Sequence, residues 1–125
     1  MRDHKHVLLV DDDEDIREVI KEILSIEGIE ADIATNGEEA LEKLKACKSD
    51  AQPSLILLDL MMPKTDGVWF CREREKYPEL TAIPVVVLSA DGQVGNKTND
   101  LHISGILKKP IQIEDLFDTI RTYMA

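Results

Sequence analysis

Four short apolar runs in this chain each stop at a group that can do chemistry. Val7-Leu8-Leu9-Val10 runs into Asp11-Asp12-Asp13, and Leu55-Ile56-Leu57-Leu58 into Asp59. Val85-Val86-Val87-Leu88 runs into Ser89, and Ile106-Leu107 into Lys108-Lys109-Pro110. A carboxylate at the mouth of a buried strand is costly unless something there uses it. If the four runs lie parallel in one sheet, their C-terminal ends share the edge where open α/β sheets bind ligands. Asp11, Asp12, Asp59, the Ser89 hydroxyl and the Lys109 ammonium then converge. Such a set suits a divalent metal held by carboxylates and a phosphoryl group held by a cation and a hydroxyl.

The elements that must position these groups follow from the apolar periodicity, which alternates five times between strand and helix, the pattern of βαβ units. A first strand spans about His6 to Val10. A helix follows with Ile16, Val19, Ile20, Ile23 and Leu24 on one face and Gly28 as its stop. A second strand, Ile29 to Ala34, alternates as an edge strand should. Thr35-Asn36-Gly37 turns into a helix carrying Ala40, Leu41 and Leu44. A third helix is expected over Val68 to Tyr77, ending before Pro78, and a last one over about Ile113 to Met124, with Ile113, Leu116, Phe117, Ile120 and Met124 on one face. The strands ending at Asp59 and Leu88 are apolar throughout, as central strands covered on both faces are. Right-handed crossovers make 2-1-3-4-5 the expected order, a doubly wound α/β sandwich of three layers. Between Ser89 and Lys109 the chain has Gly92, Gly95, Gly105, Asn96 and Asn99, poor helix material, so a short or irregular helix is expected there.

At 125 residues with a formal net charge of −10, the chain reads as one domain, 1–125, and its acidity argues against non-specific binding to nucleic acid or acidic lipid. No apolar run approaches a membrane span and no leader is evident, so a cytoplasmic location is expected. Cys47 and Cys71 lie far apart on helical stretches and read as reduced thiols. Asp13, Glu14 and Asp15 read as helix capping, and Lys108 as a solvated charge.

Together, Val10-Asp11-Asp12, Asp59-Leu60-Met61-Met62-Pro63 with Asp66-Gly67, Leu88-Ser89-Ala90 and Lys109-Pro110 resemble a response-regulator receiver domain. This is the phosphoacceptor module of two-component signalling, with a flavodoxin-like fold. The resemblance covers essentially the whole chain. It implies that Asp59 accepts a phosphoryl group from a phosphohistidine on a histidine kinase or a histidine phosphotransfer domain. It implies Mg²⁺ (or Mn²⁺), with Asp12, Asp59 and the Met61 carbonyl as direct ligands and Asp11 acting mainly through water. Lys109 would pair with the phosphoryl oxygens and Ser89 would hydrogen-bond one of them. Pro63 and Gly67 would shape the loop after Asp59, Gly67 with positive φ. The Lys109–Pro110 bond is where the family often has a cis peptide. Asp91, two beyond Ser89, would influence hydrolysis of the acyl phosphate, as would Met61. The implied role is a switch rather than a turnover enzyme, acting on a downstream protein target that the residues do not name.

Ile106 stands where the family usually carries Tyr or Phe, and Ile111 where Phe is common. Phosphorylation is therefore expected to be retained while output differs, through ordering of segment 91–104. Two rival readings come from other classes. One is a receiver-like interaction module whose output does not depend on phosphate. The other is a phosphatase of the haloacid dehalogenase type with Asp11 as nucleophile and Asp13 as second acid. A calcium loop over Asp11, Asp13, Asp15 and Glu22 is disfavoured because Ile16 occupies the position that needs glycine. Trp69 is expected to be partly exposed.

Overall fold

The computed structural model describes residues 6–47, 51–59, 67–89 and 103–124. Five strands, β1 (His6–Val10), β2 (Glu30–Ala34), β3 (Leu55–Asp59), β4 (Val85–Ser89) and β5 (Gly105–Lys108), form one parallel sheet of order β2-β1-β3-β4-β5. The helices are α1 (Glu14–Ile26), α2 (Gly37–Ala46), α3 (Gly67–Arg74), a single turn α4 (Pro78–Thr81) and α5 (Ile113–Met124). The expected doubly wound topology is present.

Alternation along each strand divides the core into two layers. Leu8, Val10, Ile56, Leu58, Val85 and Val87 pack with Ala40, Leu41, Leu44, Phe70 and Cys71 of α2 and α3. Val7, Leu9, Leu55, Leu57, Val86, Leu88 and Leu107 pack with Ile20, Ile23, Leu24, Leu116, Ile120 and Met124 of α1 and α5. Strands β1, β3 and β4 are buried at every residue, as covered central strands should be, whereas the edge strand β2 is exposed at alternate residues.

The sequence-based bounds of β1 and α5 match the structure, and Gly28 takes a left-handed φ of 72° just past α1. Asp13 caps α1, its side chain accepting from the amides of Asp15 and Ile16, and α1 runs on as helix to Ile26, which leaves no calcium-loop geometry. Three expectations need correcting. Helix α3 ends at Arg74, not Tyr77, and Pro78 opens α4 from its first turn, where its missing N–H costs nothing. Val19 is 51% exposed and Ile113 54%, because each lies at the margin of its helix's apolar stripe rather than over the sheet. Gly67 begins α3, where right-handed backbone is required, so the left-handed conformation expected there gives way to helix. The irregular helix expected between β4 and β5 lies outside the described residues.

The α3–α4–β4 connection is closed from inside by Arg74. It is 2% exposed, and its Nη2 donates to the carbonyls of Ile83 at 3.1 Å and Thr81 at 3.3 Å. Burial pulls the guanidinium below its ordinary pKa, with Cys71 and Glu75 acting in the opposite direction, and it stays charged at neutral pH. Arg74→Ala should lower stability by about 3 kcal/mol, because it strands two carbonyls and leaves a cavity. A lower urea midpoint with an unchanged slope would register this.

Candidate functional site

The side-chain alternation that sorts the core also assembles the site. Asp11 continues the Val7, Leu9 row, Asp59 the Leu55, Leu57 row and Lys109 the row of Leu107, so all three fall on the α1/α5 side at one sheet edge. Register brings them level: Val10 pairs with Leu58, Asp59 with Leu88, and Ser89 with Lys108. The Lys109 amide then donates to the Ser89 carbonyl at 2.8 Å, fixing the end of β5 against β4.

Lys109 Nζ lies 3.2 Å from Asp11 Oδ2 and 3.4 Å from Asp59 Oδ2, one ammonium between two carboxylates. Asp11 is wholly buried and Asp59 is 6% exposed, so these charges have lost most of their water. The Lys109–Pro110 peptide is cis, as the resemblance implies. Asp11 Oδ1 accepts the Asp13 amide at 2.9 Å, and the Asp11 carbonyl accepts Arg17 Nη1 at 2.9 Å.

Asp12 is exposed, and its carboxylate completes a cluster with those of Asp11 and Asp59 in which the potential ligand atoms lie within 4.8 Å of one another. Three carboxylates against one ammonium leave a formal charge of minus two. Asp11 Oδ2 accepts no directed hydrogen bond, so Lys109 acts on it as a point charge. An all-oxygen donor set, an under-coordinated buried carboxylate oxygen and a residual double negative charge fit a small hard divalent cation.

Ser89 ends β4 with 6% exposure, Pro110 is exposed beside Lys109, and Lys108 is exposed as expected. Ile106 points outward at 51% exposure, and Trp69 is partly buried against the α2/α3 core layer. Met61, Pro63 and Asp91 lie outside the described residues, as does most of the 91–104 segment. Cys47 and Cys71 form no disulfide and are half-buried and buried, respectively. Sequence reasoning passed over Arg17. Its signal was a cation one turn into α1, within reach of the end of β1.

A family model described as the response regulator receiver domain matches residues 7–121. The chain belongs to that family. Receiver domains are the signalling switches of two-component systems. Among relatives, "Probable transcriptional regulator ycf27" of Pyropia yezoensis is 36% identical over 120 residues, covering 94% of this chain and 46% of that protein. "Response regulator MprA" of Mycobacterium leprae is 33% identical over 120 residues, covering 94% of this chain and 50% of that protein. The receiver domain thus spans about half the length of the curated relatives it matches. Among solved structures, the chemotaxis protein CheY4 of Vibrio cholerae superposes with a TM-score of 0.85 at 26% identity, covering 97% of this chain and 99% of that one. Among the described residues, no helix is long and apolar enough to cross a membrane.

Of the three acids, Asp12 alone has no compensating cation among the described residues. Asp12→Asn should raise the melting temperature in EDTA by about 2 °C by relieving repulsion, and it should weaken, without abolishing, stabilisation by added Mg²⁺. Differential scanning calorimetry with and without metal reads both effects.

Proposed function

We propose that this receiver domain accepts a phosphoryl group on Asp59 from a phosphohistidine of a histidine kinase or histidine phosphotransfer domain. The observation that carries this reading is the Lys109 ammonium 3.4 Å from the Asp59 carboxylate, within an acidic cluster suited to a divalent cation. An Asp59 oxygen attacks phosphorus, the O–P bond forms as the P–N bond breaks, and the released imidazole takes a proton. Two anions must meet for this, so charge on the transferring group has to be neutralised. Asp11, Asp12 and Asp59 would hold Mg²⁺ (or Mn²⁺), which supplies that neutralisation when bound. Lys109, already over Asp59, follows the charge from carboxylate to phosphoryl oxygen, and the Ser89 hydroxyl at the end of the neighbouring strand donates to another oxygen. Met61 would add its carbonyl to the metal ligands. Pro110 shapes the loop after Lys109, Pro63 would shape the one after Asp59, and Asp91 would influence the lifetime of the acyl phosphate.

The phosphatase alternative loses its second acid, since Asp13 is committed to capping α1. Asp11 is also a poor nucleophile, buried and held by Lys109 and the Asp13 amide. The domain acts as a switch that is phosphorylated once per cycle, in the cytoplasm, on a downstream protein target. Ile106, exposed where the family usually has an aromatic residue, makes output by a swinging ring impossible.

The donor arrives on a protein, and an apolar groove of ≈ 260 Å³ lined by Ile16, Val19, Ile20, Pro110 and Ile111 reaches Lys109 itself. This groove gives the donor a seat beside the reacting atoms.

Incubation with Mg²⁺ and a small-molecule acyl phosphate should add one phosphoryl group to the intact mass. It should add none to Asp59→Asn or without metal. Phosphate turnover that survives in Asp59→Asn and fails in Asp11→Asn would overturn the assignment. Val19→Glu should slow transfer from a phosphohistidine protein by about tenfold or more, through loss of apolar docking, while leaving labelling by the small acyl phosphate intact. Rapid-quench kinetics with the two donors separate docking from chemistry.

A further inference from the structure

The acids of the cluster are not held equally. Asp11 is fixed on every side: its amide donates to the Ala34 carbonyl at 3.1 Å, its Oδ1 accepts the Asp13 amide and its Oδ2 faces Lys109. Asp12 is exposed, and among the described residues no hydrogen bond or ion pair holds its carboxylate. What places Asp12 is therefore the backbone, namely the peptide plane that joins it to Asp11. A peptide is rigid, so the direction of the Asp11 carbonyl sets where the chain enters Asp12. That carbonyl accepts Arg17 Nη1 at 2.9 Å, from a half-buried side chain six residues on. The Arg17 amide donates to the Asp13 carbonyl at 3.1 Å, the first bond of the helix ladder, so the guanidinium reaches the turn from a fixed point of α1.

We infer that Arg17 is a positioning residue for the metal-binding carboxylates: its guanidinium clamps the Asp11–Asp12 peptide and so holds Asp12 in the cluster. Its placement is otherwise unfavourable, because a cation within the first turns of a helix opposes the helix dipole. The inference rests on the reading of this cluster as a divalent cation site. It also makes a prediction of definite sign. If Arg17 acted only through its charge, it would repel the incoming cation, and its removal would tighten binding. As a clamp, its removal loosens Asp12 and weakens binding.

The test is calorimetric titration of Mg²⁺ alone into the unphosphorylated domain. Arg17→Met keeps helix propensity and side-chain bulk while removing donor and charge. It should weaken Mg²⁺ binding about tenfold, the lower end for an outer-shell partner, with the melting temperature in EDTA little changed. The loss should largely vanish when Arg17→Met is added to Asp12→Asn, because the clamp acts through Asp12; a merely structural effect would add in full. Arg17→Gln, a milder variant, should shift the affinity in the same direction. Unchanged or tighter Mg²⁺ binding in either variant overturns the inference. Absence of Mg²⁺ binding by the wild-type domain would instead overturn the cation-site reading beneath it.

Discussion

One ammonium between two buried carboxylates is the interaction on which the rest of this structure depends. Asp11 and Asp59 sit on adjacent strands, level with each other and nearly out of water. Two carboxylates so close and so far out of water repel each other strongly unless a cation stands between them. Lys109 Nζ, within 3.4 Å of both, relieves that conflict and leaves the cluster two charges negative. The same cation that allows the strand ends to carry acids is thus already in place for an anionic phosphoryl group. Folding and chemistry draw on a single contact.

Delivering that contact is the work of the sheet. Parallel order places the C-terminal ends of β1, β3, β4 and β5 on one edge, and two-residue alternation turns Asp11, Asp59 and Lys109 to the same side. A one-residue slip in any of these strands would send its functional group to the opposite layer and bury apolar side chains wrongly. The continuous apolar runs that pin the register therefore fix the site as well. The exposed isoleucines and valine along α1 and the start of α5 are the part of the apolar surface that the fold itself does not consume.

Much of this was legible in the residues. Val7 to Val10, Leu55 to Leu58 and Val85 to Leu88 are apolar at every position, which central strands require, and each terminates in a polar group. Strand order and the convergence of Asp11, Asp12, Asp59 and Lys109 follow from that pattern. The margins of the helices were less legible. Val19 and Ile113 fit the helical period yet face outward, because periodicity marks a stripe without saying how wide the neighbouring layer is. Pro78 reads as a stop signal but equally suits a first turn, and only the tertiary path decides. Arg17 went unread because a cation early in a helix is a weak signal on its own, its partner being a backbone carbonyl six residues earlier.

The claim that Lys109 reconciles the two acids is tested most directly by a double-mutant cycle of Lys109→Met and Asp59→Asn, with unfolding free energies measured by urea titration in EDTA. The account predicts a coupling of about 2 kcal/mol or more, with Lys109→Met far less damaging once Asp59 is neutral. Effects that add within about 0.5 kcal/mol would contradict it.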